Sequence, residues 1–165
     1  MTPHLSRRVF GRLLRDSKGN NLIEAAIITP LLLLLTFSIV DFSCLFYVYL
    51  ALENGASQAT RYGVTGLVMD DPLNPGTPLS RTESIKLAMR NATPTLTITD
   101  SAFSFSHQPA GGGAWVGGTG GPSDIEKVTI NYTWTLFTPM LWPFFNNGQV
   151  NLTVDSIMKN EGSFK

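Results

Sequence analysis

The stretch GNNLIEAAIITPLLLLLTFSIVDFSCLFYVYLAL, residues 19–52, decides the fold of this chain. Residues 25–40 carry no charge, and with Asp41 as one interruption the apolar character continues to Leu52. A helix needs roughly 20 apolar residues to cross the hydrocarbon core of a bilayer, because each residue advances the helix by about 1.5 Å. The stretch therefore predicts one membrane-spanning helix over residues 20–52.

Two acidic residues, Glu24 and Asp41, interrupt this apolar segment. A carboxylate in hydrocarbon costs roughly 3 kcal/mol or more on insertion scales. Each carboxylate is therefore expected to be neutralised, to reach an interface or to face a partner. For Glu24 a local explanation is also open, because a residue so close to Gly19 would lie among the headgroups.

The residues before the apolar stretch are basic and predict the orientation of the chain. Residues 1–19 contain one acidic residue and five basic ones: Arg7, Arg8, Arg12, Arg15 and Lys18. Short basic flanks stay in the cytoplasm. We therefore expect a cytoplasmic leader over residues 1–19, a single pass through a bacterial inner membrane, and a periplasmic or extracellular domain over residues 53–165.

Two simpler interpretations of the amino terminus remain open. The first is a cleaved secretory signal peptide, although its apolar region is usually about 7 to 15 residues long and ends at a small-residue cleavage site. The second is an uncleaved signal anchor. It explains the charge asymmetry and the apolar run, but it does not explain the spacing between Gly19 and Glu24.

The spacing between Gly19 and Glu24 resembles a pattern found in a known family. A basic leader, Gly19, four residues, Glu24 and an apolar helix together resemble the class III signal of type IV pilins and pseudopilins. More narrowly, the segment is similar to the TadE-like family of tight-adherence (Tad) pilus pseudopilins. The positions that fit the family pattern are Glu24, Ala26, Pro30, the leucine run 31–35, Asp41 and the small-residue segment 51–64, which contains Ala-Thr-Arg-Tyr.

The resemblance implies a minor pilin or pseudopilin of a Tad (Flp, type IVc-like) pilus or secretion system that acts in pilus biogenesis and adhesion. A prepilin peptidase would cut between Gly19 and Asn20, and Glu24 would pair with the new terminal amine of a neighbouring subunit. The implied partners are other pilins or pseudopilins and the Tad inner-membrane assembly proteins. Asp41 would pair within the assembly, with an arginine of another chain or with a headgroup.

Two residues of the helix have consequences of their own. Pro30 removes one helical hydrogen bond and is expected to kink the span. Ala25 stands where Tad pilins and TadE-like proteins usually carry Tyr or Phe, and this departure argues against recognition of the segment by the prepilin peptidase.

A second hypothesis is therefore an uncleaved, membrane-anchored interaction subunit of an envelope secretion or adhesion complex. A third is a periplasmic binding module on an anchor.

Composition argues against catalysis and against nucleic acid as a partner. The 165 residues have a formal net charge of zero. Cys44 is the single cysteine, and of the two histidines His4 lies in the predicted leader and His107 at the end of a predicted strand, so neither a metal pair nor a Ser-His-Asp set can be assembled. We therefore expect no enzyme activity, no cofactor or metal and no small-molecule substrate.

The residues after the membrane segment predict an α+β domain with a pilin-like arrangement. The first helix is expected to continue as a stripe of small residues to Gly63, and Ser80 to cap a short helix over residues 81–91. Alternation predicts strands over residues 95–107, with a break at Asp100, and over residues 124–137 and 149–159. A flexible glycine-rich loop, residues 109–123, joins the first two strands. The apolar connection 138–147 is expected to cover one end of a three- to four-stranded antiparallel sheet, or to meet a partner or the membrane.

Overall fold

The chain begins with one long helix, α1, over Ser17–Gly63. This computed structural model describes residues 17–164, with side chains from Asn21 onward. The chain divides into two compact units, Met1–Phe42 and Ser43–Lys165. In the described part of the first unit α1 is the only element, and Pro30 lies inside it without ending it. The prediction that the helix continues past the apolar stretch to Gly63 is confirmed.

The second unit adds a short helix and antiparallel strands to the last turns of α1. Its elements are β1 (Asp70–Asp71), β2 (Asn74–Pro78), α2 (Arg81–Ala92), β3 (Phe103–Gln108), β4 (Val116–Gly117), β5 (Ile125–Thr135) and β6 (Gln149–Lys159). Short 3-10 turns lie at Asp100–Ala102, Pro139–Phe144 and Asn146–Gly148. The long apolar helix, the short helix and the antiparallel sheets confirm the predicted α+β class.

The main sheet has the strand order β4-β3-β5-β6, and all its neighbours are antiparallel. β5 pairs with β6 over eleven residues, from Ile125 opposite Lys159 to Thr135 opposite Gln149. Val128 and Ile130 both point into the core, because side chains two residues apart in a strand face the same side of the sheet. The period-two pattern therefore predicted β5 and β6 correctly.

The small-residue stripe of α1 packs in the core of this unit. Leu52, Ala56 and Ala59 are fully buried together with Ile85 and Met89 of α2. A Cβ added at Gly55 would lie 2.6 Å from Met89 Sδ. The predicted small residues therefore allow close approach of α2 to α1, which larger side chains would prevent.

The predicted strand over residues 95–107 is wrong in its first half. Only Phe103–Gln108 forms a strand, and Asp100–Ala102 is a 3-10 turn. Ile98 is buried in the core, but its carbonyl oxygen accepts a hydrogen bond from Arg90 Nε (3.2 Å) and not from a neighbouring strand. Alternation reports which side chains are buried, whereas a strand also needs a partner for its backbone groups.

Two connections differ from simple loops. Residues 70–78 form the small β1–β2 hairpin, in which Asp71 Oδ1 accepts a hydrogen bond from the Leu73 amide. The glycine-rich loop contains the edge strand β4, which pairs with β3. Trp115 beside β4 lies near the sheet, since Lys127 Nζ is 5.1 Å from its ring centroid.

The N-cap of α2 gives a first test of the local structure. Ser80 Oγ accepts a hydrogen bond from the Glu83 amide (3.2 Å), as the sequence predicted. Ser80→Ala should destabilise the protein by about 1 kcal/mol, because one amide of the first turn loses its acceptor. Thermal unfolding in detergent should show a melting temperature lower by about 3 to 5 °C. Ser163→Ala, at an exposed serine near the carboxyl terminus, is the control, and an equal loss in both variants would contradict a capping role.

Candidate functional site

The first functional feature is the exposed apolar surface of α1. Large side chains such as Leu22, Ile27 and Leu31 are more than half exposed along the first unit. Among the described residues, Asn21–Gly63 is the one helix long and apolar enough to cross a membrane. So large an apolar surface requires a cover of lipid or of other apolar helices. The helix thus fits a single-pass membrane anchor.

Two polar side chains inside this surface are satisfied by the helix itself. Thr36 Oγ1 donates to the Leu32 carbonyl oxygen (2.8 Å), and Ser38 Oγ donates to the Leu34 carbonyl oxygen (2.7 Å). Such bonds leave no hydroxyl donor in need of water. Both residues are therefore compatible with an apolar environment.

The predicted site residues are spread along α1. Gly19 and Asn20 lie in its first turns, although the side chains of residues 17–20 and all of residues 1–16, which include most of the predicted leader, lie outside the described residues. Glu24 follows Asn20 by one turn and is exposed. Asp41 is about 25 Å further along the axis, at 1.5 Å per residue. The structure does not bring Glu24 and Asp41 together.

Asp41 differs from Glu24 in burial. Its side chain is fully buried within the chain itself, whereas the helix around it is largely exposed. The predicted role of Asp41 in an assembly stays a prediction.

A second charged cluster lies in the C-terminal unit, and the sequence analysis missed it. Arg81 donates to the Gly63 carbonyl oxygen (2.9 Å), to the Gly120 carbonyl oxygen (2.7 Å), to Glu126 Oε2 (3.0 Å) and to Asn160 Oδ1 (3.1 Å). We call these five residues the Arg81 network. It joins the end of α1, the start of α2, the glycine-rich loop, β5 and the residue that follows β6.

The network is largely shielded from solvent. The Glu126 side chain is 0% exposed, and the Phe164 ring covers the Arg81 guanidinium at 4.4 Å from the ring centroid. Within the described residues, Glu126 Oε1 is buried and has no hydrogen-bond partner. Burial raises the pKa of Glu126 to about 7, and the nearby charge of Arg81 opposes this rise only in part.

One sequence pattern could have revealed Glu126. It precedes Val128 and Ile130 by two and four residues, so it occupies an inward position of the same period-two pattern. A charged residue in phase with a buried face predicts a buried partner. Nothing local to Glu126 indicates that this partner is Arg81, because 45 residues separate the two in sequence.

The described residues hold no group of three or more His, Cys, Asp or Glu side chains that could bind a metal ion. What the structure offers is a long apolar helix with an acidic residue near its start, followed by a small α+β unit. These features define a pilin-like class of protein.

The comparison with protein families agrees with this class. The model of the TadE-like protein family matches residues 22–61, which lie within α1 and include Glu24, Pro30 and Asp41. The resemblance to TadE-like proteins is thereby confirmed over this segment, and it indicates a pilin-like protein associated with Tad pili. That family consists of structural pilus components. Comparison with curated proteins gives no match, and neither does comparison with solved structures.

Proposed function

We propose that this chain is a minor pilin or pseudopilin of a Tad pilus assembly or secretion system and acts in pilus biogenesis and adhesion. The observation that carries the proposal is the TadE-like helix with its exposed apolar surface and its single exposed carboxylate at Glu24 in the segment 21–40. The apolar surface of such a helix can be buried in two environments in turn, by lipid in the membrane and by neighbouring helices in an assembly.

Processing would give the helix a new charge at its start. A prepilin peptidase that cuts between Gly19 and Asn20 would remove the basic leader and leave an α-amino group on Asn20. An α-amino group has a pKa of about 7.7 to 8.0 in peptides, so it is mostly protonated at neutral pH. Residues 20 and 24 lie on the same helix face, one turn apart.

This amine is a suitable partner for Glu24. A carboxylate that is buried among packed helices without a counter-charge costs several kcal/mol, and a charged amine from a neighbouring subunit would compensate it. The pairing also fixes how far one subunit is displaced along the next, because a shift by one turn separates the charges by about 5.4 Å. We propose that Glu24 sets the axial position of the subunit in this way, with its cytoplasmic leader removed and the C-terminal unit on the periplasmic side.

The mature amino terminus tests the proposal. When the full chain is produced in membranes with a matching prepilin peptidase, intact mass and N-terminal sequencing should show a protein that starts at Asn20. The matched control is Gly19→Leu, which should keep the full mass because the residue before the cut has changed. A chain that starts at Met1 in both preparations would contradict processing.

An uncleaved anchor is the second candidate, and Ala25 favours it. The position after Glu24 carries no aromatic residue, unlike the usual Tad pattern that the sequence resembles. In that case the same helix would hold the C-terminal unit permanently at the membrane as an interaction subunit of an envelope complex. Co-purification with pilus or secretion components from unprocessed membranes would support this function.

A further inference from the structure

The segment that joins β5 to β6 presents an apolar surface. Four of its large apolar side chains are exposed, and we call them the aromatic surface: Phe137, Met140, Trp142 and Phe144. No charged residue occurs anywhere in residues 128–154. An exposed apolar patch of this kind marks a surface that contacts a membrane or another protein.

Hydrogen bonds and burial hold this segment in place. Leu141 is buried beneath it, and Trp142 Nε1 donates to the Leu136 carbonyl oxygen (3.0 Å). The Leu136 amide in turn donates to the Gly148 carbonyl oxygen (2.8 Å). Because the indole N–H of Trp142 is satisfied, its ring can enter an apolar environment without losing a hydrogen bond.

One end of the sheet, formed by the start of β5 and the end of β6, lies beside the last turn of α1. The Arg81 guanidinium contacts the Gly63 carbonyl oxygen and Glu126 near the start of β5. The Glu161 amide just after β6 donates to the Val64 carbonyl oxygen (2.9 Å). The start of β5 and the end of β6 are therefore both beside the last turn of α1.

The opposite end of the sheet lies toward the point where α1 enters this unit. Tyr47 Oη of α1 forms a hydrogen bond with Thr95 Oγ1 (3.2 Å). The residues that follow Thr95 line one groove with the later part of β5: Thr97, Thr99, Ser101, Ala102, Asn131, Tyr132 and Thr133. β5 thus runs back along α1, and the β5–β6 connection lies near the entry of the chain at Ser43.

Exposed aromatic side chains of α1 occur in the same region. Phe46, Tyr47 and Tyr49 are all exposed, and they follow the uninterrupted apolar segment of the helix. Tyr, Trp and Phe are favoured where the hydrocarbon core of a bilayer meets water, Tyr and Trp most strongly. The aromatic surface and these helix residues therefore lie at one end of the unit, where an anchored helix would leave a membrane.

We propose that the aromatic surface inserts into the headgroup region of the bilayer leaflet that faces the C-terminal unit. The occupant is lipid, because the surface lies where the anchor enters the unit and has no charge with which to select a charged partner. This contact holds the C-terminal unit against the membrane surface as long as the chain is not part of an assembly. The proposal rests on membrane anchoring by α1 and is independent of processing at Gly19.

Depth-dependent quenching of tryptophan fluorescence tests this contact. The full chain is reconstituted at low density in phosphatidylcholine vesicles whose lipids carry bromine near the headgroup. A variant with Trp115→Phe and Trp134→Phe retains Trp142 as its reporter. Its emission should fall by about half, because an interfacial indole lies within contact distance of the brominated carbons.

A second tryptophan provides a matched control. In a variant with Trp134→Phe and Trp142→Phe the reporter is Trp115, which is 43% exposed, compared with 40% for Trp142. Trp115 lies beside Lys127, near the opposite end of β5, so its emission should not change. Equal emission of Trp142 with and without bromine would overturn the proposal. So would quenching that appears only in anionic vesicles.

A label at Phe144 gives an independent measurement that leaves every tryptophan in place. Phe144 is 76% exposed, so Phe144→Cys in a Cys44→Ser background should fold, and a nitroxide there should be accessible to oxygen and shielded from a water-soluble nickel complex. The same label at Leu73→Cys, in the exposed β1–β2 turn, should show the reverse. If the label at residue 144 is open to nickel at low density and becomes shielded only as the protein concentration rises, the surface binds another copy and the lipid proposal is wrong.

Discussion

Alanine in place of Arg81 is expected to destabilise the C-terminal unit by about 3 to 5 kcal/mol at pH 8, because the change leaves Glu126 buried without its counter-charge. The side chain also supplies hydrogen bonds to Gly63, Gly120 and Asn160, and these acceptors lose their donor in the variant. Denaturant unfolding of the full chain in detergent, followed by near-ultraviolet circular dichroism, measures the loss.

The loss of stability caused by Arg81→Ala should increase as the pH rises. The pKa of Glu126 is about 7 in the folded protein and 4.5 as its ordinary value, so the folded state binds the extra proton between these two values. Stability from this group is therefore full below about pH 4.5 and is lost as the pH rises through 7. Arg81→Ala should raise the pKa of Glu126 further, and its cost should be smaller at pH 5.5 than at pH 8.

Glu126→Gln is the control for this prediction. The amide cannot ionise, so the fall in stability between pH 4.5 and 7, roughly 3 kcal/mol, should disappear while the bond to Arg81 is kept. If Arg81→Ala costs the same at pH 5.5 and pH 8, the ion pair is not the source of the destabilisation. A purely structural role for the Arg81 network would then remain.

Replacement of Glu24 by alanine is expected to abolish assembly while membrane insertion is unchanged. Removal of the carboxylate takes away the partner of the proposed terminal amine, and it also removes a charge that opposes insertion into hydrocarbon. Cells that carry the full chain with Glu24→Ala should retain it in the membrane fraction, and sheared pili or cross-linked complexes should contain at least about tenfold less of it. Tenfold corresponds to the loss of about 1.4 kcal/mol of subunit association.

Glu53→Ala is the matched control for Glu24. Glu53 is an exposed glutamate of the same helix and accepts a hydrogen bond from Tyr49 Oη (2.9 Å). Since it lies outside the apolar segment, its loss should leave assembly within about twofold of wild type. Normal assembly of the Glu24 variant would rule out the proposed charge pairing, and it would leave the TadE-like match and the membrane anchor untouched.

Much of the architecture could be predicted because it depends on neighbouring residues. The apolar run of α1, the cap at Ser80 and the alternation in β5 and β6 are all set within a few positions of sequence. The same logic failed at residues 95–99. Leu96 and Ile98 alternate as a strand would, and their side chains do pack on the core, but within residues 17–164 no strand lies beside them to complete a ladder.

The sequence by itself determined that the chain has one membrane-length helix, a TadE-like segment within it and an α+β unit after it, because hydrophobicity and periodicity are local properties. Only the tertiary structure decided that Arg81 pairs with Glu126, that Asp41 is buried and that the β5–β6 connection lies where α1 enters the unit. These features join residues tens of positions apart or depend on the packing of whole elements. The physical reason is that burial and charge pairing depend on which surfaces meet, and a local pattern shows only which surfaces need a partner.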